Sequence, residues 1–409
     1  MSLPKCQLCD FQSSSLFHHI LQKHEMSLEE YLHRFPKAPT ILDGLLKESL
    51  KVTRRAHPIS VEKLQVQLYN IPFDYHAEVP SHIAAPMPAE YRLPTTGEAY
   101  HSCLRATIGL WDGASQFIWG ASGIGKDAFL MYWSAKTRTP YLSIQLNPDV
   151  DISKTLWSHE IGVEGTYYQE GQLLKALRDG YLSKTGKRIP YLIVFTDLDR
   201  STPQQTEHLR LILDSVSGRI QGPDGQTATI LEGTKIMATA NSIGVGDFSG
   251  RYASVQLVDA SILSRFDYKI QFHLLDWVDE SVILQAKFPL LTELYGKSEI
   301  AGRPFFEHLG SLVEVIRKAI SDGVIELEFG HREIVAILRY ATSLCRLDLM
   351  QQRSIRKKLL AEAVMIVIHS LQSELQSALT LLINPYIRGG LIATGDISHI
   401  KSKVLEDDE

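Results

Sequence analysis

The chain has little of several things, and each shortage excludes a class. Four cysteines in 409 residues are too few for a disulfide framework. No apolar run approaches the length of a membrane span, so no membrane association is expected. The opening residues, MSLPKCQLCD, lack the apolar core of a signal peptide, and a cytoplasmic location is the expectation. A basic excess is also missing: 42 Lys and Arg stand against 47 Asp and Glu, a net charge of -5. That balance excludes a whole-surface nucleic-acid binder but leaves room for a local basic patch. No internal repeat or low-complexity tract stands out.

What is present reads as five segments. Residues 1–37 form a small module of their own. Residues 38–98 are a linker leading into the next domain, with HAEVPSHIAAPMPAEYRLPTTGE (76–98) running over that domain's surface. Over 99–275, apolar runs (SQFIWG, PYLSIQL, PYLIVF, TKIMATAN) alternate with amphipathic segments such as DAFLMYWSAK. Buried parallel strands separated by helices give that alternation, so an α/β domain is expected. Over 276–395 the strand signals vanish, and SLVEVIRKAIS, REIVAILRYATSLC and KKLLAEAVMIVIHSLQSEL carry helical spacing. Residues 396–409, ending LEDDE, are a solvated acidic tail.

GASGIGKD (Gly120, Ala121, Ser122, Gly123, Ile124, Gly125, Lys126, Asp127) follows the apolar run FIW and opens the helical segment DAFLMYW. It satisfies G-x-x-x-x-G-K, and the strand–loop–helix context is the one a phosphate-binding loop requires. Loop amides and a helix N-terminus then converge on phosphates, with Lys126 opposite the β and γ oxygens of ATP. The next residue is Asp127 where a magnesium-nucleotide loop carries Ser or Thr. The second acidic element is YLIVFTDLDR (191–200), where four apolar residues precede Thr196 and Asp197. In this register Thr196 takes the metal-organising position and Asp197 that of the catalytic carboxylate. Acid and alcohol have then exchanged sides, Asp127 on the loop and Thr196 on the strand, leaving a pair able to hold Mg²⁺. Another register sets Asp197 at the metal position and Leu198 where the base belongs, leaving no catalytic carboxylate.

Taken together, GASGIGKD, VFTDLDRSTP, KIMATANSIGVGDFSGRY, ILSRFD and FGHRE resemble the AAA+ ATPases, and more narrowly the MoxR branch and the AAA+ subunit of cobaltochelatase. The likeness spans roughly residues 100–345, and GVGDFSGRY (244–252) is its most specific part. The resemblance implies a P-loop AAA+ parallel sheet with a C-terminal helical lid. It implies that Asn241 is the sensor that orients the attacking water. It further implies that Arg265 is a finger reaching the neighbouring subunit's site, and that Arg332 is the lid's nucleotide sensor. In the family Arg332 follows Ser-Pro; here it follows Gly-His. Segment 216–231 reads as a hairpin around Gly222–Gly225. An oligomeric ring, a hexamer, is expected, with a partner carrying a von Willebrand A domain.

CQLCDFQSSSLFHHILQKH (6–24) places Cys6 and Cys9 ahead of His19 and His24, a ligand set suited to tetrahedral Zn²⁺, with His18 competing for the third place. With the SLEEY helix start that follows, it resembles the zinc finger of Ros/MucR-type regulators. DNA and protein both stay open as its target. The leading expectation is therefore a hydrolysing, ATP-driven remodelling motor, with hydrolysis slowed by the altered acidic motifs. The alternatives are a nucleotide-gated assembly module with little turnover, or a DNA-processing factor tethered by the finger.

Overall fold

The computed structural model describes residues 8–9, 34 and 64–387, apart from 90, 163–164, 215–218, 222–226, 244–257, 296–298, 301–302, 328, 352, 370 and 372. The chain divides into two compact units, Met1–Glu62 and Lys63–Glu409. Cys6, His19 and His24 lie outside the described residues, as does the run 244–252. Cys9 is described and half-buried.

The second unit begins with a hairpin, β1 (Gln65–Leu68) and β2 (Ile71–Asp74), turning through Tyr69 and Asn70 at positive φ, the conformation a two-residue hairpin turn demands. Sequence reasoning placed this stretch in a linker. Residues 76–96 lie against the domain that follows: Val79 and Ala84 pack with Ile189, and the His76 amide donates to Thr137 O at 2.9 Å. Short apolar insertions with no sustained period gave too little pattern to announce this packed strap.

Helix α1 (Gly97–Asp112) leads to β3 (Gln116–Trp119), α2 (Lys126–Thr137) and β4 (Tyr141–Gln145). A short α3 (Ile152–Leu156) and the hairpin β5 (Trp157–Gly162) and β6 (Gly165–Glu170) follow, then α4 (Gln172–Arg178) and the small pair β7 (Tyr181–Leu182) and β8 (Arg188–Ile189). Strand β9 (Leu192–Thr196) is fully buried through its first four residues. Helix α5 (Pro203–Leu213) starts in a capping box, Thr202 accepting from the Gln205 amide and the Gln205 side chain accepting from the Thr202 amide. The hairpin read over 216–231 is present as β10 (Arg219–Gln221) against β11 (Thr227–Thr229). Strand β12 (Lys235–Ala240), the one-turn α6 (Ala260–Leu263) and β13 (Tyr268–Gln271) complete the domain.

Five of these strands form one sheet in the order β13-β3-β12-β9-β4, every pairing parallel. The α/β architecture with a parallel central sheet is thus as expected. Both faces of the sheet are covered, which is why its central strands are apolar without alternation. The crossovers bring all five strands to a common C-terminal edge. There the Gly120 amide donates to Ala240 O, and the Leu146 amide to Thr196 O.

Beyond the sheet the chain is mostly helical: α7 (Trp277–Lys287), α8 (Pro289–Tyr295), α9 (Phe305–Ser321), α10 (His331–Met350), α11 (Leu359–Ile368) and α12 (Ser373–Ile387). They enclose an apolar cluster of their own around Leu309, Leu312, Ile316, Ile337 and Leu338. The long periodic stretch 357–375 is broken between α11 and α12. No described helix is long and apolar enough to cross a membrane.

Phe195 sits in β9 at 0 % exposure, packed in the cluster on one sheet face. Phe195→Ala leaves a cavity that the flanking strands cannot close, and should lower stability by about 3–5 kcal/mol in urea unfolding.

Candidate nucleotide site

A cavity of about 630 Å³ opens at the C-terminal edge of the sheet, lined by the loop 122–128, Thr196, Asp197, Thr239, Asn241 and residues of the helical domain including Arg332. The loop following β3 turns through Gly120, Gly123 and Gly125 at φ of 150°, 75° and 94°. At Gly120 a Cβ would stand 2.5 Å from Phe272 O, so only glycine fits. Gly125 is the N-cap of α2, which aims the first amides of that helix into the cavity.

Lys126 is buried and its ammonium is held by three neutral oxygens, Gly120 O at 2.8 Å, Ala121 O at 2.9 Å and Asn241 Oδ1 at 3.1 Å. Burial pulls its pKa below the usual lysine value, and the carboxylates of Asp127, Asp199 and Asp197 oppose that shift. Asn241, at the end of β12, therefore faces the loop lysine directly.

The hydroxyl that meets Asp127 is not that of Thr196. Thr239 on β12 donates to Asp127 Oδ1 at 2.8 Å, while Thr196 lines the same cavity from the end of β9. The acid–alcohol pair exists, but its alcohol comes from the neighbouring strand. Thr239 is paired in register with Ile118 of β3, so it looks across at the start of α2.

Asp197 has φ 59° and ψ 45°, a left-handed conformation uncommon for a residue with a side chain. Such strain concentrates where a side chain must be aimed. Its Oδ2 accepts from Gln145 Nε2, at the end of β4, at 3.0 Å. Asp199, two residues on and fully buried, accepts from the amides of Asn241 and Ser242 at 3.0 and 3.1 Å. Burial raises its carboxyl pKa, against the pull of those two amides. It fixes the turn after β12 to the turn after β9, and so sets where Asn241 points.

Arg332, second residue of α10, reaches back to the loop. Its Nη1 donates to Ser122 Oγ at 3.0 Å, and a Cβ on Gly123 would lie 3.0 Å from Arg332 Cγ. Arg265 is elsewhere: it does not line the cavity, and its Nη1 lies 3.9 Å from Asp214 Oδ1. Sequence reasoning missed Gln145, Thr239, Asp199 and Arg200, the last also lining the cavity. Asp199 and Arg200 stood within TDLDR and Thr239 within KIMATAN, two residues before Asn241; Gln145 stood beside no motif.

The donor set suits a magnesium triphosphate. Among the described residues no group of three or more His, Cys, Asp or Glu side chains forms a metal cage. Mg²⁺ needs none, since it binds through one or two carboxylates, phosphate oxygens and water. Asp127 could supply such a carboxylate, and the loop amides, Lys126 and Arg332 line the cavity as candidate phosphate donors.

Residues 115–266 match the family described as AAA domain (dynein-related subfamily), so this segment is an AAA-type ATPase domain. ATP with Mg²⁺ is the ligand that such a domain implies. The denitrification regulatory protein NirQ of Pseudomonas aeruginosa is 34% identical over 61 residues, 15% of this chain and 24% of that protein. NirQ of Stutzerimonas stutzeri is 29% identical over 68 residues, 17% of this chain and 25% of that protein. The chain thus spans about a quarter of the length of the curated relatives it matches. A crystal structure of a candidate ATPase from Cytophaga hutchinsonii is 13% identical, with a TM-score of 0.31, covering 80% of this chain and 91% of that one.

Thr239→Val keeps the shape of the buried side chain and removes the donor to Asp127. A lost hydrogen bond to a charged acceptor should weaken nucleotide binding in Mg²⁺ by about tenfold, with little effect in EDTA, as read by titration of a fluorescent ATP analogue.

Proposed function

We propose that the protein is an ATP-hydrolysing remodelling motor of the MoxR and cobaltochelatase-like kind, working as a hexameric ring. One observation carries this reading: Lys126, Asp127, Asp197, Asn241 and Arg332, from four separate places in the chain, line one cavity at the sheet edge. In this reading the loop amides and Lys126 bind the phosphates. Asp127, with Thr196 close by, holds Mg²⁺ directly or through water. Asp197 activates the attacking water, oriented by Asn241. Arg332 answers the state of the nucleotide from the helical domain.

Arg265 is the finger of this scheme. It stands outside its own chain's cavity, which supports its acting on a neighbouring subunit. A diffuse positive charge of this kind suits the transferring phosphoryl group. The partner in remodelling is a protein with a von Willebrand A domain. The N-terminal module, with Cys6, Cys9, His19 and His24 on Zn²⁺, recruits a protein or nucleoprotein target in the cytoplasm.

A second reading has a specific observation behind it. Asp197 is one methylene shorter than glutamate and is engaged by Gln145. A nucleotide-gated assembly module with little turnover would use the same cavity. Phosphate release with and without partner separates the two readings.

Asp127→Ala should abolish Mg²⁺-dependent nucleotide binding, and Arg265→Ala should keep binding while losing turnover. If highly diluted monomers hydrolyse as fast as the assembled protein, the shared-site scheme is wrong. For the N-terminal module, deletion of residues 1–60 should remove DNA retention at low salt; retention that survives the deletion rules the finger out as a tether.

A further inference from the structure

The residue before Arg332 is His331, where the family it resembles carries proline, and the structure gives that histidine a partner. His331 Nδ1 lies 2.9 Å from Glu280 Oε1. A carboxylate can only accept, so Nδ1 carries the proton and donates. Glu280, on α7, is fully buried. Its other oxygen lies 2.9 Å from Nη2 of Arg317 on α9. One carboxylate with no access to solvent thus ties α9 and the first residue of α10 to α7.

We infer that His331, held by Glu280, is a positioning residue for Arg332. The inference rests on the reading of the cavity as an ATP site. His331 and Arg332 are consecutive at the first turn of α10, so anchoring the imidazole fixes the rotation of that turn about the helix axis and with it the direction in which Arg332 leaves the helix. The approach of Arg332 is narrow: its stem lies against Gly123 and its head meets Ser122 Oγ. The residue ahead of the pair is held as well, since the Gly330 amide donates to Glu333 Oε2 at 2.7 Å. Proline at 331 would fix the backbone of this turn without help. Histidine does not, and the bond to Glu280 supplies the restraint that the ring of proline would have given.

A carboxylate–guanidinium–imidazole cluster could serve only to hold three helices together, and removing one partner of a buried pair commonly destabilises a fold. A role through Arg332 makes a different demand: the effect of His331 must disappear when Arg332 is gone. The experiment is therefore a cycle on the full chain with a fluorescent ATP analogue and Mg²⁺, comparing wild type with His331→Ala, Arg332→Ala and the double variant. His331→Asn, which keeps a donor at the same reach, completes the set. Thermal melts of all variants are recorded alongside.

The expected result is that His331→Ala and Arg332→Ala each weaken nucleotide affinity by about tenfold. The double variant should bind no worse than Arg332→Ala, and His331→Asn should bind like wild type. All should melt within a few degrees of one another. Losses that multiply in the double variant, or a His331→Ala protein of normal affinity, overturn the positioning role and leave the ATP site standing. Wild type that fails to bind the analogue, or Arg332→Ala that binds like wild type, overturns the reading of the cavity and the inference with it.

Discussion

The structure turns on the placement of one cation. Lys126 is buried at the edge where five parallel strands end, and none of its three hydrogen-bond partners is charged. The carboxylates of Asp127, Asp199 and Asp197 act on it from a distance. Had one of them closed into a direct ion pair, a phosphate would have to displace a full charge. Two carbonyls and one amide oxygen are weaker competitors than a phosphate, whose bond to an ammonium is charge-assisted. The site is thus organised around a lysine that is ordered but available.

That arrangement explains the neighbouring substitutions. An aspartate at position 127 puts negative charge at the N-terminus of α2, where the helix dipole favours it. It would repel phosphates unless a divalent cation stood between them. Thr239 turns one carboxylate oxygen towards the sheet, leaving the other as the exposed acceptor. Asp199 meanwhile is buried, receives two amides on one oxygen and does not line the cavity. Three neighbouring acidic side chains are therefore distinguished by what each one accepts: a hydroxyl, a side-chain amide and two backbone amides.

The sheet domain was largely legible in the sequence because its central strands are apolar without interruption and its loop has a fixed spacing of glycines and lysine. The helical region was legible from period alone, though not the break that separates α11 from α12. The hairpins β1–β2 and β5–β6 were not, being short and flanked by no sustained alternation. Reading Thr196 as the partner of Asp127 followed motif order along the chain. The true partner depends on the parallel register of β12 with β3, which places Thr239 beside Ile118 and cannot be counted from spacing. Gln145 and Glu280 carried no local signal at all, since each acts across more than 50 residues of chain. Arg265 was visible as a motif residue, but its position away from the cavity needed the fold.

Helix α7 shows how the two halves of the unit are joined. Its first turn carries Asp279 and Glu280 side by side, and successive residues of a helix diverge by about 100°. Asp279 accepts from the amides of Thr95 and Thr96 at 2.7 and 3.1 Å, and from the Thr95 hydroxyl at 2.6 Å, gripping the start of α1. Glu280 turns the other way and grips α9 and α10. The helical domain cannot swing as a body without loosening one set of bonds or the other. The half-exposed set at Asp279 is open to exchange with water, whereas Glu280 has no solvent to replace its partners. Movement between the halves should therefore open at Asp279, with α7, His331 and Arg332 travelling together.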